Sequence, residues 1–252
     1  MKKENLLLDY LLQLGDNALV LGQRLAEWCG HGPILEQDIA ITNISLDLFG
    51  QTRNIFQYAA TVEGGGRTED DLAFLRDAIH FRNVLLVELP NGDFGRTVVK
   101  QFLYDAFSFL NYTALLESSD KQLAAIAEKS LKEVTYHLRF SSEWMIRLGD
   151  GTEESHKRMQ TALDDLWMYT GELFEMSPTE NELLKTGVSV NLAQLKSDWD
   201  KKVKEICDEA TLKIPETGWM QSGGKKGAHT ENLGFLLADM QYLQRAYPGQ
   251  EW

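Results

Sequence analysis

Over long stretches of this chain the hydrophobic residues recur every third or fourth position, the spacing of one face of an α-helix. Between Glu4 and Trp28 the apolar stripe is Leu7, Leu11, Leu14, Ala18, Leu21, Leu25 and Trp28, widened by Leu8, Leu12 and Leu19. Asp16 and Gln23 stand among these residues. The run Gly30 to Pro33 stops that helix, and a second is predicted at once, over about 34–62. Its inner seam is Ile41, Ile44, Leu48, Gln51 and Ile55, with Asn43 and Asp47 beside it. Three glycines, Gly64 to Gly66, make continuation costly. A third long helix, over about 97–117, carries Val98, Phe102, Asp105, Phe109, Tyr112 and Leu116 on one stripe. The fourth, over about 123–148, presents Leu123, Ala127, Ser130, Val134, His137, Ser141, Met145 and Leu148. That face is apolar or small except at His137, and Glu133 lies just beside it.

The remaining pattern is shorter in range. A small amphipathic helix is predicted over 68–81, with Glu69, Asp70 and Asp71 in the first turn, where the helix dipole favours acids. Residues 83–89 read equally as a strand or a helix end, and Pro90 to Asp93 as a turn. This whole region is a crossover connection between the second and third long helices. After Gly151 come outer helices, over about 152–252. One starts at Thr152 and buries Met159, Leu163, Leu166 and Trp167, ending near Phe174. Ser177 and Pro178 start another. Asn191 starts a third, with Leu192, Leu195, Trp199, Val203, Ile206 and Ala210 inward, and Thr230 starts the last, with Leu233, Leu237, Met240 and Leu243. Two helical hairpins joined by a long crossover make the ferritin-like arrangement. The predicted fold is therefore all-α: a ferritin-like four-helix bundle with additional C-terminal helices, in a single domain spanning 1–252.

Composition alters this picture little. Apolar residues at 43% and charged residues at 25% are ordinary for a folded soluble chain. The formal net charge of −13 argues against nucleic acid and anionic membranes as partners. No segment approaches the roughly 18 uninterrupted apolar residues that a spanning helix needs. Glu4, Asp9 and Asp16 interrupt the leucines at the start and no small-residue cleavage site follows, so no signal peptide is expected. Cys29 and Cys207 lie far apart, in no metal-like spacing. They read as unpaired thiols in a reducing cytoplasm.

Four inward helix faces bearing isolated acids and a histidine raise the question of a di-iron carboxylate centre. Such a bundle takes one carboxylate from each of two helices and a Glu-x-x-His pair from each of the other two. The carboxylates bridge and neutralise two close cations, and imidazole completes each coordination sphere. The positions available here are Asp16, Asp105, and the pairs Leu48-x-x-Gln51 and Val134-x-x-His137. Leucine and valine cannot ligate iron, and glutamine is a weak neutral donor. Asp47 and Glu133 would substitute only if both helices turned by about 100° or their side chains reached around the helix side. The plainer readings are structural. His137 would be a core histidine hydrogen-bonded to Asp105 or Gln51. Asp16 and Asp105 would be paired inside the bundle with tyrosine or with an arginine such as Arg24, Arg53 or Arg139. The loop Gly223 to Gly227 reads as a solvated linker or, less specifically, as a phosphate cradle. No triad of nucleophile, histidine and acid stands out.

Longer stretches carry a resemblance. They are LGQRLAEWCGHGPILEQDIAITNISLDLFGQTRN, FLRDAIHFRNVLLVELPNGDFGRTVVKQFLYDAF, KEVTYHLRFSSEWMIRLGDGTEESHKRMQ and GKKGAHTENLGFLLADMQYLQRAYPGQEW. With them the chain resembles the bacterial phenylacetate-degradation proteins of the ring-epoxidising phenylacetyl-CoA mono-oxygenase, and within them the non-catalytic, structural branch. The resemblance implies a ferritin-like fold with a degenerate site. The catalytic relative's ligand pairs fall at Leu48/Gln51 and Val134/His137, where only His137 matches, so no catalytic, cofactor-binding or metal residue carries over. It also implies a structural subunit in the cytoplasm. That subunit would pair with a di-iron catalytic A subunit, and indirectly with a reductase, in a complex that epoxidises phenylacetyl-CoA with oxygen and NADPH. Self-association of the chain is a further expectation. The rival reading is an oxygenase or oxidase in its own right, with Asp47 and Glu133 as displaced ligands; a third is a free-standing helical scaffold.

Overall fold

The computed structural model describes residues 3–216 and 218–250. Among them are ten α-helices in chain order: α1 (Lys3–Ala26), α2 (Leu35–Glu63), α3 (Glu69–Phe74), α4 (Leu85–Glu88), α5 (Phe94–Leu115), α6 (Lys121–Gly149), α7 (Glu153–Trp167), α8 (Pro178–Leu184), α9 (Leu192–Glu209) and α10 (Glu231–Ala246). Three 3-10 turns lie between them, at Ala78–His80, Gly171–Phe174 and Gly224–Lys226, and no strand is present among the described residues. The fold class is all-α with the ferritin-like order of elements. The chain sorts into two compact units, one made of 1–90 together with 223–252, the other of 91–222. The expected span of outer helices runs to 252, and its last two residues lie outside the described residues.

In the first unit α2 folds back along α1. Ser45 Oγ donates to the Gly22 carbonyl at 2.8 Å, and a Cβ placed on Gly22 would come within 3.2 Å of Leu48. Further along the pair, Gly15 leaves room for the Phe56 ring, which a Cβ there would overlap. Two small residues seven apart thus let the helices approach closely. The predicted seam of α2 is buried throughout, at Ile41, Ile44, Leu48, Gln51 and Ile55. On α1 the stripe is narrower than its leucines suggest: Leu11, Ala18, Leu21 and Leu25 are buried, whereas Leu7 and Leu14 are only half-buried.

The helix predicted over 68–81 is shorter. It starts as expected, with Thr68 and Asp71 in a reciprocal capping box, but ends at Phe74. Arg76 turns its guanidinium back onto the Leu72 carbonyl, and the chain then runs extended into Ala78–His80. The ambiguous segment 83–89 is a single helical turn, α4. Helix α10 closes the unit against α3: Gln241 Nε2 donates to the Ala73 and Arg76 carbonyls at 3.1 and 3.0 Å. Its last predicted seam residue, Leu243, is exposed.

In the second unit α5 is buried nearly all round from Gly95 to Ser108, more than the single stripe read from its sequence. Asp93 caps α5 by accepting from Arg96 N at 2.8 Å, and Asp120 caps α6 by accepting from Leu123 N at 3.0 Å. On α6, seven of the eight predicted inward residues are buried and only Leu148 is half-exposed. The helix after Thr152 ends at Trp167 instead of near Phe174; a 3-10 turn over Gly171–Phe174 follows. Ser177 and Glu180 form a capping box with Pro178 in the first turn of α8, as read from the sequence. Trp199 of α9 anchors these outer helices. Its indole N–H donates to the Leu103 carbonyl at 3.0 Å, and its ring lies 5.7 Å from Trp167 and 5.3 Å from Phe174.

Candidate functional site

Three of the six positions where iron ligands would be sought lie in the first unit. Asp16 is fully buried and both its carboxylate oxygens are occupied. Oδ2 accepts from Arg76 Nη1 at 3.0 Å and from the Arg82 backbone N–H at 2.7 Å, while Oδ1 accepts from Arg76 Nη2. The Arg76 guanidinium lies 4.3 Å from the Phe81 ring centroid and 5.2 Å from that of Phe56. It also donates to the His80 carbonyl at 3.2 Å. Pairing of Asp16 with an arginine was expected, but the partner is none of the three named from sequence. Arg24 is used elsewhere, on the Glu88 and Asn232 carbonyls at 3.0 Å each. Arg53 lies 3.5 Å from Glu69 near the surface, and Arg139 lies over the Tyr136 ring. Leu48 and Gln51 are both buried on α2, and Asp47 is half-buried on its flank.

The other three positions lie in the second unit. Asp105 is buried on α5, where Oδ1 accepts from Gln101 Nε2 at 2.7 Å and Oδ2 lies 2.8 Å from Ser141 Oγ on α6. Burial pushes its carboxyl up to about 7, against the opposing pull of the nearby His137 ring and of the Ser141 and Gln101 hydrogen bonds. Ser141 Oγ also reaches the His137 carbonyl at 3.0 Å. The hydroxyl has one proton for these two acceptors, so a protonated Asp105 that donates to Oγ satisfies both. His137 is buried beside this group, its ring centroid 6.3 Å from that of Tyr136. Val134 is buried one turn before it, and Glu133 is half-buried at the side. The His137 ring lies near enough to Asp105 to act on its carboxyl electrostatically.

This donor set does not fit an iron pair. Hydrocarbon fills positions 48 and 134, a guanidinium neutralises Asp16, and burial holds Asp105 toward its neutral form. Among the described residues, no three His, Cys, Asp or Glu side chains are grouped so as to hold a metal ion. Cys29 is exposed and Cys207 buried, and neither is in a disulfide. No helix of the described residues is long and apolar enough to cross a membrane.

A sharp pH effect follows from Asp105. Its folded-state pKa lies above the ordinary 3.8, so between about pH 4 and about pH 7 the folded chain keeps a proton that the unfolded chain has released. Stability from this group is full below that window and lost as pH rises through it. Asp105→Asn preserves an acceptor for Gln101 and a donor for Ser141 without the charge. The expected result in denaturant titrations at about pH 5 and about pH 8 is that the variant gains on the parent by a few kcal/mol at the higher pH.

A second buried acid of the first unit, with as many hydrogen bonds as Asp16, was not anticipated. Glu88 of α4 is fully buried. Oε2 accepts from Asn83 Nδ2 at 2.9 Å and from His229 Nδ1 at 2.8 Å, and Oε1 accepts from the Thr230 backbone N–H at 2.6 Å. The other ring nitrogen of His229 lies 3.0 Å from the Phe81 carbonyl. With an acceptor at each nitrogen, the ring is best satisfied as the doubly protonated cation. Burial alone would lower the His229 basicity, but the Glu88 hydrogen bond and charge, the Phe81 carbonyl and the charge of Asp16 together raise it above 6.5. The one sequence signal was an acid inside an apolar run, Val84 to Leu89.

The loop before His229 is not an open linker. Gly224 is buried where a Cβ would overlap the Asn83 carbonyl, and Gly227, at φ +82°, packs against the Ile79 carbonyl. Its glycines are explained by close backbone approach to 79–85.

Comparison with known proteins places these features in context. All of the chain, residues 1–252, matches the family described as "Phenylacetic acid catabolic protein". Over 248 residues it is 51% identical to the C component of the 1,2-phenylacetyl-CoA epoxidase of Escherichia coli (strain K12), a match covering 98% of this chain and 100% of that protein.

Proposed function

The chain belongs to the phenylacetic acid catabolic protein family, and from that premise we propose that it is the non-catalytic structural subunit of a multi-subunit phenylacetyl-CoA epoxidase. Its role is to bind and stabilise a di-iron catalytic subunit in the cytoplasm. That partner, supplied with electrons by a separate reductase, carries out the chemistry: one oxygen atom of O2 enters the aromatic ring of phenylacetyl-CoA as an epoxide, and the other leaves as water at the expense of NADPH. This chain contributes no ligand to the iron.

One observation carries the reading: Leu48 and Val134 are buried on the helix faces where the ligand pairs of a di-iron bundle would begin. The arginine on Asp16 supports it independently, since a carboxylate already neutralised has little to offer a cation. The whole-length identity to a component of an epoxidase supplies the substrate class. Asp47 and Glu133, the displaced ligands of the rival reading, stand half-buried on the flanks of their helices instead of on the inward faces.

The test is co-purification of this chain with a catalytic subunit of the epoxidase, followed by metal analysis of each chain after iron loading. The expected outcome is a stable complex in which iron follows the partner alone. Two irons bound stoichiometrically by this chain would overturn the reading, as would failure of the two proteins to associate.

A further inference from the structure

Resting on that reading, we infer that the catalytic subunit docks on the outer face of α2, along a stripe formed by Leu35, Ile39, Leu46 and Gly50. At 100° per residue these four positions fall within an arc of about 60°, on the side of the helix opposite the buried Ile44, Leu48 and Ile55. Leu35 is 70% exposed, Ile39 50% and Leu46 59%, and Ile34 just before the helix is 55% exposed. Single exposed apolar residues are ordinary, but Leu35, Ile39 and Leu46 share one face of α2, with Ile34 just before it, and exposed apolar residues gathered on one face mark interfaces.

Gly50 supplies an independent reason to expect a helix from outside. It lies inside a 29-residue helix, where glycine weakens the helix relative to alanine. A Cβ there would meet nothing within 4 Å, and its backbone is ordinarily helical. Nothing in this chain requires the missing side chain. A partner helix seated on Leu46 does, because a small residue in the stripe lets two backbones approach closely. Gly15 and Gly22 do the same inside the α1–α2 pair, where Phe56 and Leu48 fill the space.

Charge separates the possible occupants. Glu36 and Asp47 border the stripe on one side, and Arg53, beyond its far end, is ion-paired with Glu69. A second copy would bring the same acidic border and a further net charge of −13, which opposes association. The face therefore fits a different chain: an apolar helix bordered by Lys or Arg, carried by the catalytic subunit.

Binding of the purified, iron-loaded catalytic subunit to the full chain tests this, by calorimetry or interferometry. Leu46→Lys and Ile39→Lys each should weaken binding by roughly 10-fold or more, as central interface positions do. Gly50→Phe should weaken it similarly by bulk alone. Phe235→Lys, at an exposed apolar site on α10, serves as the control and should leave binding unchanged. None of the four positions is in the core, and melting curves matching the parent would show the fold intact. Parent-like affinity in the three α2 variants would overturn the assignment of this face while leaving the proposed subunit role standing. Absence of binding by the parent would overturn both. Self-association of the parent that the α2 substitutions abolish would also overturn the inference, making the occupant a second copy.

Discussion

Replacing Arg76 with methionine is expected to destabilise the protein by about 3–5 kcal/mol, the cost of removing one member of a buried ion pair. The loss is not one hydrogen bond. Arg76 provides two of the three donors on Asp16, and the Arg82 backbone N–H at 2.7 Å is the other. Asp16, fully buried, would be left with a carboxylate that one N–H cannot neutralise. The contacts with the Phe81 and Phe56 rings and with the Leu72 and His80 carbonyls go as well. Asp16→Asn combined with Arg76→Met should recover part of the loss, because removing both charges leaves neither stranded. Denaturant unfolding of the two single variants and the double variant measures this. Additive losses would show that the pair is not coupled.

Glu88→Gln should cost about 2–4 kcal/mol near pH 6 and change how stability depends on pH. All three groups on the carboxylate are donors: Asn83 Nδ2, His229 Nδ1 and Thr230 N. A glutamine amide has one oxygen and one NH2, so either orientation sets a donor against a donor. His229 is held above its ordinary 6.5 in the folded chain. The stability its proton provides is complete below about pH 6.5 and is lost as pH rises through the raised folded value. The parent should therefore weaken on the alkaline side of 6.5, and Glu88→Gln should lack that slope. Urea titrations across about pH 6 to 9 give the comparison, and NMR titration of the His229 ring gives its protonation directly. Equal slopes in both proteins would refute the assignment.

The long helices were legible because their burial is periodic and local. On α6 the 3.6-residue pattern alone identified seven buried positions, His137 among them. The hydrocarbon at Leu48 and Val134 was legible for a different reason: whether a side chain can donate to iron is a property of the residue itself, once its face is known. Residues 75–89 were not legible, because what organises them is far away along the chain. Arg76 meets Asp16 across 60 residues and Glu88 meets His229 across 141, and neither pairing leaves a local period. That the Gly223 to Gly227 loop is no open linker was not legible for the same cause, since its glycines answer to backbone at 79–85. On α5 the stripe was drawn too narrow because helices of this unit surround it. Small polar residues such as Thr97 and Ser108 are buried there beside the aromatics.

The unit that contains both 1–90 and 223–252 is discontinuous in the order of synthesis. At about 5–20 residues per second, the ribosome takes on the order of ten seconds to make the intervening segment. Throughout that interval Glu88 waits for His229 and Thr230, and Gln241 has yet to reach the Ala73 and Arg76 carbonyls. A nascent chain arrested in this interval holds a buried acid without its cation. Such fragments should be favoured substrates for quality-control proteases.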